Sequence, residues 1–161
     1  MSNKKKQLEN IIHFLKADIS QVTYPQSFTG TFVEGTNCLA YAVGYKFPDV
    51  MRKLYFPGAI RNRPVMYNKD FLLRFFIEDL SVIGIKAKVI SKEQARETVV
   101  EGNQVVAFMY SYDDFHFIRK DKDGMWSHKQ GYYNLPTKVF YDYEDWFEEY
   151  MLVAYLNLSF K

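Results

Sequence analysis

Asp114-Phe115-His116-Phe117-Ile118-Arg119-Lys120-Asp121-Lys122-Asp123-Gly124-Met125-Trp126-Ser127-His128 decides how the later half of this chain folds. Alternating side chains on either side of an Asp-Lys-Asp-Gly break read as a two-stranded hairpin. Successive strand residues point to opposite faces, so Phe115 and Phe117 share one face and His116 and Ile118 the other. The turn then decides where His128 falls. A three-residue loop Lys122-Asp123-Gly124, with Gly124 left-handed, pairs Asp121 with Met125. His128 then stands opposite Ile118, on the His116 face and diagonal to it, so the two rings are within reach. A two-residue Asp123-Gly124 turn would send the two histidines to opposite faces.

Outward from the hairpin, strands are expected at about 104–111, 114–120, 125–130 and 151–159, with Ile85-Lys86-Ala87-Lys88-Val89-Ile90 as another alternating run. Leu8, Ile11, Ile12 and Leu15 at i, i+3, i+4 and i+7 predict an amphipathic helix over 4–18, an appendage to the rest. Residues 20–36 read as a loop. Asn37 is a favourable N-cap, Leu39, Ala42 and Val43 give the helix after it one apolar face, and Gly44 ends it. Residues 45–66, with Pro48, Pro57-Gly58 and Pro64, read as irregular around a short helix at 48–54. Asn68 caps a helix running through 81 with Leu72, Phe75, Phe76 and Leu80 inward. Ser91 and Gln94 form a capping box for a helix at 92–99, and a small helix is expected at 143–149. Helices first and an antiparallel sheet later predict the α+β class: N-terminal helices packed on a C-terminal antiparallel sheet. The 161 residues suit a single domain, 1–161, without repeats or low-complexity linkers.

Hydrophobic residues at 48% and aromatics at 18% supply a packed core and exclude a disordered chain. A net charge of +2, from 21 basic and 19 acidic side chains, gives no nucleic-acid footprint. Lys4-Lys5-Lys6 reads as a solvated helix start. A single cysteine excludes an internally disulfide-bonded secreted scaffold. With no apolar signal core and no run near the ~18 apolar residues of a membrane span, the expectation is a cytoplasmic protein without nucleic-acid or membrane partners. Nothing in the sequence sets an oligomeric state.

The one cysteine, Cys38, follows the N-cap Asn37 directly. Unpaired N–H groups at a helix start favour the thiolate, as does a neighbouring imidazole, and the Cys38 N–H can face a developing oxyanion. Taken singly, each candidate has a plainer reading. A lone cysteine is more often an inert small hydrophobe, His116 between two phenylalanines a satisfied strand residue, and His128 a surface residue beside Trp126. Taken together, a thiol at a helix start and an imidazole on a later strand are the two parts that a thiol hydrolase needs, and the turn type decides whether His128 can orient His116. One cysteine and two histidines also match an open zinc site, but no pair has helical or knuckle spacing, so neither metal nor other cofactor is expected. Asp113-Asp114 and Asp121/Asp123 read as strand-edge and turn residues, the acidic 142–149 segment as an exposed helix face, and Arg61-Asn62-Arg63-Pro64 as a solvated loop.

A cysteine at a helix start, a histidine on a later strand and a second polar residue one hairpin strand further on is an order that resembles papain-like thiol hydrolases. The spacing is similar to their NlpC/P60 branch, where a histidine often follows the base by about a dozen residues; here the separation is 12. Asp114 to Gly131, together with Asn37-Cys38-Leu39-Ala40-Tyr41-Ala42, also resembles a set of uncharacterised bacterial and phage proteins with an Asn-Cys-x-x-Tyr-Ala element. The resemblance implies a papain-like (NlpC/P60-like) architecture, Cys38 as nucleophile, His116 as base and His128 as its orienting partner. It implies an oxyanion or substrate contact from Tyr24 or Gln26, with Asn37 beside the nucleophile, and a peptide or protein substrate. Asn-Cys-Leu-Ala stands where the branch usually has Asp-Cys-Ser-Gly, and Phe117 and Ile118 stand where small residues usually follow the base. The expected activity is peptidase or amidase cleavage of an amide bond, with deamidation and transamidation drawing on the same parts. The alternative is a catalytically inactive binding or inhibitory module that uses its abundant tyrosines, such as Tyr132-Tyr133 and Tyr141-Asp142-Tyr143, to hold a protein partner. Reactivity separates the two: an activated thiol alkylates with a midpoint well below the ordinary ~8.5.

Overall fold

The computed structural model describes residues 4, 5, 9, 22–31, 36–44, 56–61, 63, 64, 66–97, 99–112, 114–131, 134–139 and 149–160. Most of the helices expected at 4–18 and 143–149, the whole of that at 48–54, and Tyr132-Tyr133 and Tyr141-Asp142-Tyr143 lie outside the described residues. What is described is dominated by one six-stranded antiparallel sheet. Its strands are β1 (Ile85–Ile90), β2 (Asn103–Ser111), β3 (Asp114–Lys120), β4 (Trp126–Lys129), β5 (Pro136–Val139) and β6 (Met151–Phe160). They lie side by side in the order β1-β6-β2-β3-β4-β5. The described helices are α1 (Cys38–Val43), α2 (Lys69–Val82) and α3 (Lys92–Arg96), of 6, 14 and 5 residues.

This corrects the expected α+β layout of N-terminal helices packed on a C-terminal antiparallel sheet, with the papain-like (NlpC/P60-like) architecture attached to it. The fold is sheet-dominated. The reason lies in pairing that crosses the chain. The last strand, β6, inserts between β1 and β2, so the sheet recruits a mid-chain strand as its edge. β5 adds a further strand beside β4 that periodicity did not reveal, because Pro136-Thr137-Lys138-Val139 is short and begins with a proline.

The helices begin and end where their caps direct. Asn37 Oδ1 accepts from Ala40 N at 3.0 Å, and Gly44, at φ +77°, closes α1 by donating its N–H to Ala40 and Tyr41 carbonyls. Asn68 caps α2, which turns Leu72, Phe75, Phe76 and Leu80 inward. The Ser91–Gln94 capping box is present, but α3 stops at Arg96 because Glu97 is extended. Arg61, expected in a solvated loop, instead pairs with Glu78 and with buried Asp79, which also accepts the Gly58 N–H at 2.7 Å.

The β3–β4 turn sets the register. Asp121 N donates to Met125 O at 2.7 Å, Gly124 is left-handed at φ +81°, and Arg119 and Lys120 face Ser127 and Trp126. That is the three-residue-loop alternative. Directly opposed residues share a face, so β2–β3 pairing divides the sheet cleanly. On one face Phe108 and Phe117 stack at 5.1 Å and Phe76 of α2 meets Phe117 at 4.7 Å, in a core shared with Leu39, Val43, Leu72, Leu156 and Leu158. The other face carries a smaller cluster of Ala95, Ala107, Met109, Ile118, Val139 and Tyr155. His116 belongs to this second face, opposite Met109. Both faces of β3 are therefore buried, and its polar residues must be satisfied inside the protein.

Candidate active site

Cys38 opens α1 and is 7% exposed. The backbone N–H of Phe117, the residue after His116, favours its charged form. The β3–β4 ladder carries only the pairs Arg119–Ser127 and Lys120–Trp126, so that stretch of β3 lies beyond the paired part of the ladder. Cys38 and His116 line one cavity of about 450 Å³, with Asn37, Asp114, Phe115, Gln130, Gly131 and Tyr150. The two halves of the sequence motif thus border the same cavity.

His128 lies behind His116. His116 Nε2 and His128 Nδ1 are 2.8 Å apart, and the rings meet edge to face with centroids 5.0 Å apart. One of these nitrogens donates. If His116 Nε2–H donates to His128, the nitrogen of His116 that can take a proton from the cavity side is Nδ1. In that arrangement His128 fixes the base tautomer of His116.

The electrostatics differ from the expectation of a thiolate. Burial pushes the Cys38 thiol up to about 12, and the Asp114 carboxylate adds to that; the N–H groups of Phe117, Leu39 and Cys38 itself pull it back only in part. Burial, and then the neighbouring His128, hold His116 down to about 3, and burial holds His128 down to about 4. At neutral pH the site rests as a neutral thiol and two neutral imidazoles. A helix start of six residues is outweighed by desolvation, because burial penalises every charged form at once.

The weaker candidates separate. Asn37 borders the cavity beside Cys38. Tyr24 does not: it is 3% exposed, its hydroxyl donates to Val43 O at 2.8 Å at the far end of α1, and its ring stacks on Phe160. Gln26 is also at that far end, with Nε2 bonded to Thr23 O and its side chain packed against Gly44. Neither reaches the oxyanion side of Cys38, since both serve the end of the helix that carries it.

Sequence reading missed Tyr150, whose ring centroid is 5.9 Å from His116 and whose hydroxyl donates to Asp114. It arrives through the β2–β6 pairing of Tyr110 with Met151 and a bulge between Phe108 and Met109, neither of which has a local signature. It also missed Lys129, which is fully buried. Among the described residues no group of three or more His, Cys, Asp and Glu side chains is placed to hold a metal ion, which leaves the zinc reading without a ligand set. Among them, too, no helix is long and apolar enough to cross a membrane. Comparison with protein-family models, with curated proteins and with solved structures finds no match to this chain.

Proposed function

We propose that the chain is a cysteine hydrolase, a peptidase or amidase in which Cys38 is the nucleophile, His116 the base and His128 the group that orients it. The observation that carries this reading is the shared cavity: Cys38 and His116 both line it, and His116 Nε2 lies 2.8 Å from His128 Nδ1. The resemblance to the NlpC/P60 branch in the Cys-His-His order supports the same roles.

Because the resting groups are neutral, the base acts during attack rather than before it. His116 takes the thiol proton as the sulfur bonds to the substrate carbonyl carbon, and the carbonyl oxygen becomes an oxyanion. Collapse expels the amine, which leaves with the proton from the imidazolium, and a thioester remains on Cys38. Water, deprotonated by His116, then attacks the thioester. The acid is released and the sulfur recovers its proton.

The second reading, a binding module without turnover, draws on one observation: a thiol this buried and pushed up to about 12 is a poor nucleophile unless a base is engaged. Acylation by p-nitrophenyl acetate at pH 7 separates the two. The expected result is a stoichiometric nitrophenolate burst with an acetyl group on Cys38 by intact mass, followed by turnover. Cys38→Ala abolishes the burst, and His116→Ala slows it by about 10²–10⁴-fold, the usual contribution of a general base. Equal, slow acylation of the wild type and His116→Ala would leave the binding module standing.

A further inference from the structure

The cavity beside Cys38 is uneven in charge. Cys38 and His116 rest neutral, and the other described residues that line it are a glycine, two side-chain amides, two aromatic rings and Asp114. Asp114, the first residue of β3, is exposed there. One of its carboxylate oxygens accepts the Phe115 N–H at 2.8 Å, and the other accepts the Tyr150 hydroxyl. Neither partner is a cation, and among the described residues no lysine or arginine forms an ion pair with Asp114. Lys129, a cation that senses Cys38, donates to the Thr36 and Gly131 carbonyls and does not line the cavity. A carboxylate has about four acceptor positions, so the bonds to Phe115 and Tyr150 leave capacity for a further donor.

The Tyr150 bond does not require the charge, because an asparagine amide can bond a hydroxyl as well. The charge itself works against the thiol: after burial, the Asp114 carboxylate raises Cys38 further and so opposes negative sulfur. Burial first, and then Asp114 and a negative Cys38, push the Tyr150 hydroxyl up, so the three groups sense one another. A cation placed against Asp114 removes the opposition to the sulfur. We propose that Asp114, with the rings of Phe115 and Tyr150 that line the same cavity, is a specificity subsite for a cationic substrate, taking the ammonium or guanidinium of a residue next to the amide that Cys38 attacks. This deepens the hydrolase reading and rests on it. A carboxylate together with aromatic rings is a set of groups that recognises organic cations. The first supplies a charge-assisted hydrogen bond and the second a ring quadrupole. A cationic substrate thus assists its own attack, whereas a neutral one leaves Asp114 uncovered beside the sulfur.

The test compares acylation of Cys38 by the p-nitrophenyl esters of Nα-acetyl-lysine and Nα-acetyl-norleucine, which differ only in the side-chain ammonium. At pH 7 and low salt the lysine ester is expected to have a kcat/KM ~5-fold higher or more, expressed mainly in KM, as one charge pair at a partly open site supplies. Asp114→Asn keeps the side chain's size and its capacity to bond Phe115 N and the Tyr150 hydroxyl but removes the charge. It should bring the two esters within about 2-fold of each other. Equal acylation by the two esters in the wild type overturns the proposal. So does an Asp114→Asn variant that slows both equally and keeps the lysine preference, the result a merely structural Asp114 would give. If that variant does not fold, salt reads the same charge in the wild type. The lysine preference should shrink between roughly 0.05 and 0.5 M NaCl, and a preference unmoved by salt overturns the proposal. If neither ester acylates Cys38, the hydrolase reading fails, and the thiol itself then reports on the subsite. Cationic 2-aminoethyl methanethiosulfonate should outpace anionic 2-sulfonatoethyl methanethiosulfonate at Cys38 by ~5-fold or more beyond their ratio on free cysteine. A ratio equal to that of free cysteine overturns the subsite as well; a larger one keeps a cation site without the hydrolase.

Discussion

The β3–β4 hairpin builds two buried polar pairs on opposite faces, from residues that alternate along the same strands, and they are made differently. On one face Arg119 Nε donates to Asp121 at 2.7 Å and Nη1 to Tyr41 O at 2.9 Å; its guanidinium lies 3.8 Å from the centroid of the Tyr41 ring, and the Tyr41 hydroxyl is 2.7 Å from Ser127 Oγ. Two opposite charges neutralise each other and neighbours on α1 and β4 add to the set, while Asp121 Oδ2 is buried without a hydrogen-bond partner. On the other face His116 and His128 satisfy each other with no formal charge, next to a cavity rather than inside a packed core. The first arrangement holds α1 against the hairpin. The second keeps two nitrogen bases unprotonated beside the one thiol. A charge-compensated network spends its groups on each other, whereas a neutral imidazole pair at a cavity keeps proton-accepting capacity in reserve.

The largest blow to this contrast is Arg119→Met. It strands the Asp121 carboxylate in a fully buried site, so unfolding by urea should show a loss of about 3–5 kcal/mol, the usual result of breaking a buried pair from one side. A loss under ~1 kcal/mol would mean that this face does not anchor α1.

Acid separates the faces by a smaller amount. Both histidines bind protons less readily in the folded protein than at the ordinary 6.5, so the unfolded chain takes up protons first as pH drops. Their stabilising contribution is complete above pH 6.5 and is lost as pH falls toward about 4 for His128 and about 3 for His116. Between pH 6.5 and 5 this amounts to about 2 kcal/mol per histidine. Asp79 works in the opposite sense. Burial raises it to about 6, so its contribution is complete below the ordinary 3.8 and is lost as pH rises through 6. Comparing the wild type with His128→Asn at pH 5 and pH 7 isolates the histidine share: the variant should lose less stability on acidification. Equal losses would mean that His128 is not held neutral by burial.

The smallest change is expected from Tyr41→Phe, which removes one hydroxyl from the charged face. Urea unfolding should show a cost of about 1 kcal/mol, while Cys38 acylation stays at the wild-type rate. A parallel fall in acylation would show that the two faces are coupled through α1.

Much of this site could be read locally. Asp121-Lys122-Asp123-Gly124 marks the turn, but a left-handed glycine suits a two-residue and a three-residue loop alike, so the observed pairing of Arg119 with Ser127 is what puts the two imidazoles on one face. Asn37, Gly44, Asn68 and Ser91-Gln94 cap helices through bonds spanning three or four residues, so sequence contains both partners. Other features have no local trace. The burial of Lys129 among the Thr36 and Gly131 carbonyls has no local sequence signal. Tyr150 enters the cavity only through strand pairing across some forty residues.

The sequence by itself determined the hairpin and its two alternative registers, the helix starts, and that a thiol, a base and a second imidazole were present in a workable order, because these follow from steric and hydrogen-bonding rules acting over a few residues. Only the tertiary structure decided that the domain is a sheet with β6 inserted beside β2, that Tyr24 and Gln26 serve the wrong end of α1, and that Cys38 rests protonated. Strand order and desolvation are sums over residues far apart in the chain, and a single electrostatic environment emerges only when the whole core has closed around the sulfur.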